Sequence, residues 1–171
     1  MNVDEAIRSK RAVRQFTDQP LPEDAIRAIL NAGRLAQSSK NLQERQFIAI
    51  RDRATLEALS RCGTWMGHLA GAALGVAILT PDPGIKFQLL FDAGQAAAYM
   101  QLAAWELGIG SCLGSVYEPD QVRALLGFPA EWHCDVCLSF GYPTAEALAP
   151  RPPRPDGRKA FDEIVHWERW T

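Results

Sequence analysis

Residues 85–107 read IKFQLLFDAGQAAAYMQLAAWEL and set the architecture expected for the rest of the chain. In a helix, this segment would place apolar or small side chains on nearly every face, whereas a surface helix has one apolar stripe. Its most apolar part, residues 93–104, still contains Gln95 and Gln101 and is flanked by Asp92 and Glu106. A membrane span needs about 20 nearly uncharged residues. We therefore predict a long, buried central helix.

Length and composition bound the class of protein. A chain of 171 residues with 47% hydrophobic content can bury one sizeable core, so residues 1–171 are expected to form a single domain. The formal net charge of −2 and the pI near 5.9 argue against nucleic-acid binding, which usually needs a strongly basic face. Residues 1–15 carry charges throughout and do not resemble a signal peptide. The expectation is a cytoplasmic protein without membrane attachment.

Elsewhere the patterns predict helices that do not alternate regularly with strands. This order favours the α+β class, with helices packed on one mixed or antiparallel sheet. Helices are predicted from Asn2, from Pro22, over residues 54–59 and over Pro119–Leu126, and strands over residues 47–50, 74–79, 109–116 and 134–140. The tail from about residue 150 to 171 is expected to be extended, because Pro150–Pro155 is too rich in proline for regular structure.

Cys134 and Cys137 form the sequence C-x-x-C, which occurs in redox and zinc sites. They fall in a predicted strand, where residues three apart point to opposite faces. There is no second C-x-x-C, and the three histidines lack ligand spacing. We therefore expect structural, reduced cysteines, no metal site and no catalytic histidine.

Two polar segments carry the functional signal. The first is the basic run Lys10–Arg14, and the second is the Ser/Asn-rich run Ala36–Gln43. Clustered cations suit a phosphate, and hydroxyl and carboxamide groups suit the polar edge of a heterocycle. Together they predict a phosphorylated ring cofactor that is held at both ends. Either run alone is more often a solvated face or a loop.

These segments resemble motifs of the nitroreductase family of FMN enzymes. Residues 10–16 are similar to the family's Arg-Arg-Ser-x-Arg-x-Phe, and residues 36–47 to Ala-Pro-Ser-x-x-Asn-x-Gln-Pro-Trp-x-Phe. Residues 107–112 resemble its Gly-Leu-Gly-Ser/Thr segment. A fourth matching stretch is Phe140–Pro143, which is followed by a tail that contains Gly157-Arg158-Lys159. The matches occur in family order over nearly the whole chain. The resemblance implies a nitroreductase-like fold, a homodimer with a long interface helix, and FMN as cofactor.

The resemblance also implies particular contacts to FMN. The basic run and the tail would bind the phosphate. The Ser/Asn loop would contact the polar edge of the ring and the partner's FMN. A backbone N–H of residues 113–115 would be directed at flavin N5. The implied cofactor-binding residues are Lys10, Arg11, Ala12, Arg14, Ser38, Ser39, Asn41, Leu113, Gly114, Ser115 and Arg158. Ala12 stands where the family usually has Ser, and Glu44-Arg45 replaces its Pro-Trp. Lys40 and Arg45 are expected to add positive charge near the site.

The function implied by the resemblance is that of an oxidoreductase. NAD(P)H (NADH or NADPH) would reduce FMN, and the reduced flavin would pass electrons to a nitroaromatic, a quinone or a similar acceptor in a ping-pong cycle. Two alternatives stay open: a non-catalytic flavin carrier or sensor, and a flavin-cleaving or dehalogenating enzyme on the same fold.

Overall fold

A four-stranded antiparallel sheet forms the centre of the computed structural model, which describes residues 1–149 and 157–170. Its order is β1-β2-β4-β3, and every neighbouring pair is antiparallel. The strands are β1 (Gln46–Ile50), β2 (Leu74–Thr80), β3 (Gly110–Ser115) and β4 (His133–Gly141). All seven residues of β2 are buried, because this strand is covered on both faces. The predicted α+β class is confirmed.

Seven α-helices surround this sheet in the described part of the chain. They are α1 (Val3–Ser9), α2 (Glu23–Leu35), α3 (Arg53–Leu59), α4 (Gln88–Glu106), α5 (Pro119–Leu126), α6 (Ala145–Leu148) and α7 (Phe161–Ile164). The predicted capping box at α1 is present, with Asn2 and Glu5 bonding each other's backbone N–H groups at 2.9 and 3.0 Å. Gly127 ends α5 at a φ of 70°, as expected. Pro22 is the extended N-cap of α2, so the helix begins at Glu23, one residue later than predicted.

The predicted central helix is α4, and it packs with α2 on one face of the sheet. Ala93, Ala96, Ala97, Met100 and Ala104 of α4 are buried there. A Cβ atom at Gly33 of α2 would lie 2.3 Å from Met100 Cε, so the two helices approach closely at this point. Within the described residues, no helix combines the length and hydropathy that crossing a membrane requires.

The other face of the sheet is covered by α3, α5 and the turn at residues 62–69, and it holds both cysteines of the C-x-x-C. The expectation that their side chains point to opposite faces is wrong. A register shift between Ile78 and Leu79 leaves Asp135 without a partner in β2, so Cys134 and Cys137 turn to the same side, with Sγ atoms 3.8 Å apart. Both thiols are free and buried, as predicted for structural cysteines.

The C-terminal region differs in part from the expected extended tail. The proline-rich segment at Pro150–Pro155 lies outside the described residues, but the short helix α7 follows it, so residues 157–170 are not wholly extended. Phe161, Ile164, Trp167 and Trp170 are all more than 60% exposed. This end of the chain therefore presents a large apolar surface to its surroundings.

Candidate functional site

The basic run forms a strap along the open edge of β3. Val13 N–H donates to the Ser111 carbonyl at 2.9 Å, and Ala12 pairs with Ser111 in parallel orientation. A Cβ atom at Gly110 would lie 2.7 Å from Cβ of the fully buried Val13, so this glycine lets the strap approach the strand. Because Val13 is bound at this edge, its two neighbours in the chain, Ala12 and Arg14, also lie beside β3.

Lys10 and Arg14 converge on the same part of β3. Lys10 Nζ donates to Gln101 Oε1 of α4 at 3.1 Å, and burial lowers the pKa of this lysine. Arg14 is exposed and makes no hydrogen bond or ion pair with the described residues. Burial raises the pKa of the Cys112 thiol, and the nearby charges of Arg14 and Lys10 oppose that rise. Lys10 and Arg14 therefore both lie close enough to Cys112 for their charges to affect its pKa.

The other two predicted phosphate ligands are placed differently. Arg11 Nη2 donates to the carbonyl of Leu148, the last residue of α6, and its buried Nε has no partner in the described structure. Arg158 is exposed and contacts no described residue through a hydrogen bond or an ion pair. The structure thus brings together two of the four predicted cations.

The backbone of Leu113 is directed to the same open edge. Val116 N–H donates to the Asp135 carbonyl of β4, and backbone groups alternate along a strand. Leu113 and Ser115, like Ser111, therefore direct N–H and C=O away from β4. The strap covers this edge at Ser111, and a Cβ at Gly63 would lie 2.3 Å from the Ser115 carbonyl oxygen. Leu113 lies between these two covers, 39% exposed.

Gly114 has a packing explanation that the sequence did not show. A Cβ atom there would lie 2.8 Å from Met66 Cγ and 3.1 Å from His68 Nε2. The glycine is therefore required by the side chains packed beneath β3, on the cysteine-bearing face of the sheet. Leu113, next to it, has its side chain on the opposite face, in a cleft with Leu90, Ala93 and other residues of α4 and the sheet.

His68 is a buried polar residue at this edge that sequence reasoning left without a role. Its Nδ1 lies 2.7 Å from Ser139 Oγ, and its Nε2 is buried without a partner in the described residues. Burial and the charge of Arg14 lower the pKa of His68 to about 4, against a smaller opposing effect of the Leu113 backbone. The imidazole is therefore neutral at pH 7, beside the strap and Leu113.

The Ser/Asn loop lies at the other end of α4. Ser39–Asn41 forms one 3₁₀ turn, in which the Ser39 N–H donates to both carboxylate oxygens of Asp92, each at 3.1 Å. Asp92 and Gln101, the anchor of Lys10, are nine residues apart on α4, which is roughly 13 Å along the axis. Within one chain, the loop and the strap are therefore separate sites.

Glu44 and Arg45 also depart from expectation. Arg45 is 7% exposed, and its guanidinium donates to the carbonyls of Ala36 and Arg34 at the end of α2. Glu44 forms an ion pair with Lys86 at 2.7 Å. The prediction that Arg45 adds positive charge to the cofactor site is wrong, because its charge is directed into the protein. Lys40, by contrast, is exposed on the loop.

A cavity of about 900 Å³ lies elsewhere, between α2 and β1, and none of the predicted cofactor residues is among those lining it. Among the described residues, no group of three His, Cys, Asp or Glu side chains is arranged to hold a metal ion.

Comparison with known proteins identifies the family. The sequence profile of the Nitroreductase family matches residues 7–62 and 61–142. An NADH dehydrogenase of Thermus thermophilus is 27% identical, covering 92% of each chain, and an oxygen-insensitive NADPH nitroreductase of Salmonella typhimurium is 39% identical, covering 84% of this chain and 67% of the relative. The structure of an FMN-dependent nitroreductase from Clostridium difficile R20291 is 26% identical, with a TM-score of 0.82, over 98% of this chain and all of the other.

The fold and these matches define an oxidoreductase with the nitroreductase fold. The chain belongs to the nitroreductase family. The family, the fold and the enzyme class that the motifs predicted are thereby confirmed.

The buried His68 generates a pH-dependent prediction. Its pKa is about 4 when folded and 6.5 otherwise, so between these values the unfolded chain binds more protons. The free energy of unfolding should therefore rise with pH across this window and gain nothing further from His68 above it. Urea unfolding at pH 5 and pH 7 should show a smaller difference for His68→Gln than for the wild type. An equal difference in both proteins would contradict a buried neutral imidazole.

Proposed function

We propose that this protein is an FMN-dependent oxidoreductase that takes electrons from NADH or NADPH and passes them to small aromatic or quinone acceptors. The observation that carries the proposal is the convergence of Lys10 and Arg14 beside the open backbone edge at Leu113. Cations for a phosphate and an outward-facing peptide for a ring thus lie next to each other. Named relatives that use FMN or NADPH support the same assignment.

The described residues fit FMN by the chemistry of their donors. Arg14 is exposed and has no partner among the described residues, so it is available to an anion. Arg11 is directed to the Leu148 carbonyl, so it would have to turn from that contact to bind a phosphate. Lys10 is already half-buried on Gln101, which holds its charge in place. Arg158 is exposed and has no partner among the described residues, so it is available to bind the phosphate as well. Ala12 contributes backbone only, through its pairing with Ser111.

The protein's part in the reaction is to bind and orient the cofactor. When bound, FMN supplies two-electron transfer between a reduced nicotinamide and an acceptor. We infer that the outward-facing peptide N–H of Leu113 sets the position and electronic state of the ring, whereas Gly114 directs its N–H to β4 and Ser115 lies under the turn at Gly63. His68, which lies behind this segment, is neutral at pH 7 and therefore adds no positive charge next to it. No side chain needs to act as an acid or base in this scheme.

We further propose that the active unit is a homodimer in which Ser38, Ser39 and Asn41 contact the partner's FMN. The separation of the loop from the strap along α4 supports this arrangement, since one chain does not bring them to the same place. Phe87, the N-cap of α4, and Phe91 within it are 70% and 65% exposed, and the aromatic residues after α7 are similarly uncovered. Such side chains each bury on the order of 150–250 Å² in an interface.

The first prediction from the proposed function concerns the cofactor and its redox cycle. The purified protein should be yellow and release FMN rather than FAD on mass analysis. Under anaerobic conditions NADH or NADPH should bleach the bound flavin, and a nitroaromatic or quinone should restore its colour, with ping-pong kinetics. If dithionite bleaches the flavin while both nicotinamides leave it unchanged, the protein is a carrier or sensor instead. FAD, or no flavin after reconstitution, would refute the cofactor assignment.

The second prediction tests the phosphate ligands. Arg14→Ala and Arg158→Ala should each weaken FMN binding roughly ten- to hundredfold, because a charge-assisted hydrogen bond contributes about 1.5–3 kcal/mol. Flavin fluorescence titration gives the affinity, and thermal melts of the apo-protein report folding. Arg8→Ala is the matched control, since Arg8 is exposed on α1 and pairs with Asp4. Unchanged affinity in both variants would show that these arginines are merely solvated.

The third prediction tests the dimer. Sedimentation at micromolar concentration should show a dimer, consistent with an interface above about 2,000 Å². Removal of residues 160–171, or the substitution Phe91→Glu, should shift it toward monomer and weaken FMN binding. Glu57→Arg, an exposed charge change on α3 on the other side of the sheet, should leave the dimer intact. A full-length monomer that binds FMN tightly would exclude the shared site.

A further inference from the structure

The Ser/Asn loop has an unfavourable backbone shape. Lys40, Asn41 and Gln43 have φ angles of 51°, 56° and 53°, in the left-handed region that side chains with a Cβ atom rarely adopt. Asparagine adopts this region more readily than most residues, but local preference does not explain Lys40 and Gln43. Strained conformations of this kind persist only where the surroundings hold them, and they concentrate at functional sites. The contacts that hold this loop therefore matter for whatever the loop binds.

Asp92 holds the loop from α4. It is 7% exposed, within an otherwise apolar and small-residue stretch of the helix, and both its oxygens accept from the Ser39 N–H. A buried carboxylate is unfavourable unless it is paired. The charge of Arg45 acts on Asp92 across the loop and partly offsets the lowering of the Arg45 pKa by burial. The loop is thus fastened where its 3₁₀ turn begins.

Arg45 holds the two ends of the loop together. It precedes β1, and its guanidinium contacts four carbonyls where α2 ends. These acceptors belong to Gly33, Arg34, Ala36 and Gln37. A cation is favourable at this position because the carbonyls at a helix C-terminus carry partial negative charge. Within the loop, Ser38 Oγ accepts from the Gln43 N–H at 3.0 Å and closes the turn.

We propose that Asp92 and Arg45 are positioning residues, which together fix the strained loop so that Asn41 is presented to the flavin. The proposal rests on the proposed function, since it takes FMN as the ligand. It also explains how this chain tolerates Glu44-Arg45 where the family has Pro-Trp, and Gln37 where it has proline. Hydrogen bonds from two buried charged side chains to the loop backbone replace the stiffness that proline would provide. Neither residue touches the cofactor; both act through the loop.

The first experiment follows the apo-protein by hydrogen exchange, so it does not depend on flavin. Asp92→Ala should accelerate exchange at the Ser39 amide and at the following loop amides at least tenfold, while amides of β2 stay protected. Asp92→Asn keeps one acceptor and the side-chain shape, so it should have a smaller effect and serves if the alanine variant does not fold. Arg45→Met should also loosen the loop.

The matched control is Glu44→Gln. Glu44 lies on the same loop, and the substitution removes its ion pair with Lys86. This pair is partly exposed and contributes little to stability, so loop exchange should stay as in the wild type. Unchanged exchange at Ser39 in both Asp92 variants would overturn the anchor, as would equal acceleration in Glu44→Gln.

The second experiment is a double-mutant cycle on FMN affinity. Asn41→Ala and Asp92→Ala should each weaken binding about tenfold. If Asp92 acts by presenting Asn41, the double variant should bind no more weakly than the weaker single variant. Additive losses, or unchanged affinity in Asp92→Ala despite faster loop exchange, would overturn the positioning role. Failure of the wild type to bind FMN would refute the proposed function, and the exchange results would still decide whether the anchor exists.

Discussion

The rest of the structure depends on how α4 packs. Its alanines and Met100 let it approach α2 and the sheet closely, and Gly33 supplies the space opposite Met100. Close packing of small side chains leaves little freedom for the helix to shift. Asp92 and Gln101 extend from this fixed helix to the Ser/Asn loop and to Lys10. One rigid element thereby sets the positions of both polar segments that the sequence singled out.

Buried and exposed charges have different tasks in this chain. Asp92 and Arg45 are each 7% exposed and are fully engaged with backbone groups, so they shape the loop. Arg14 and Arg158 are exposed and have no partner among the described residues, so they remain available to a ligand. A buried charge that loses its partner is strongly destabilising, whereas an exposed one is free to bind. Burial therefore separates the structural cations from the candidate binding ones.

Local signals in the sequence were good guides to the elements. The Asn2/Glu5 pair, Gly127 and the apolar run of residues 93–104 each depend on neighbours within a few positions, and each forms as predicted. The candidate site was predictable only where it follows from a motif, as with the strap at Lys10–Arg14. Asp92 had one signal, its position as the only charged residue of α4 apart from Glu106 at the end of that helix. His68 had none, because a single histidine has no pattern.

The sequence by itself determined the class of fold, the family and the two polar segments, because these follow from periodicity, capping and ordered motifs. Only the tertiary structure decided which predicted ligands meet. Lys10 and Arg14 converge at β3, whereas Arg11 turns to Leu148. It also decided that Cys134 and Cys137 face the same side, because the bulge arises from pairing with a distant strand. Such outcomes depend on contacts between residues far apart in the chain, which no local pattern specifies.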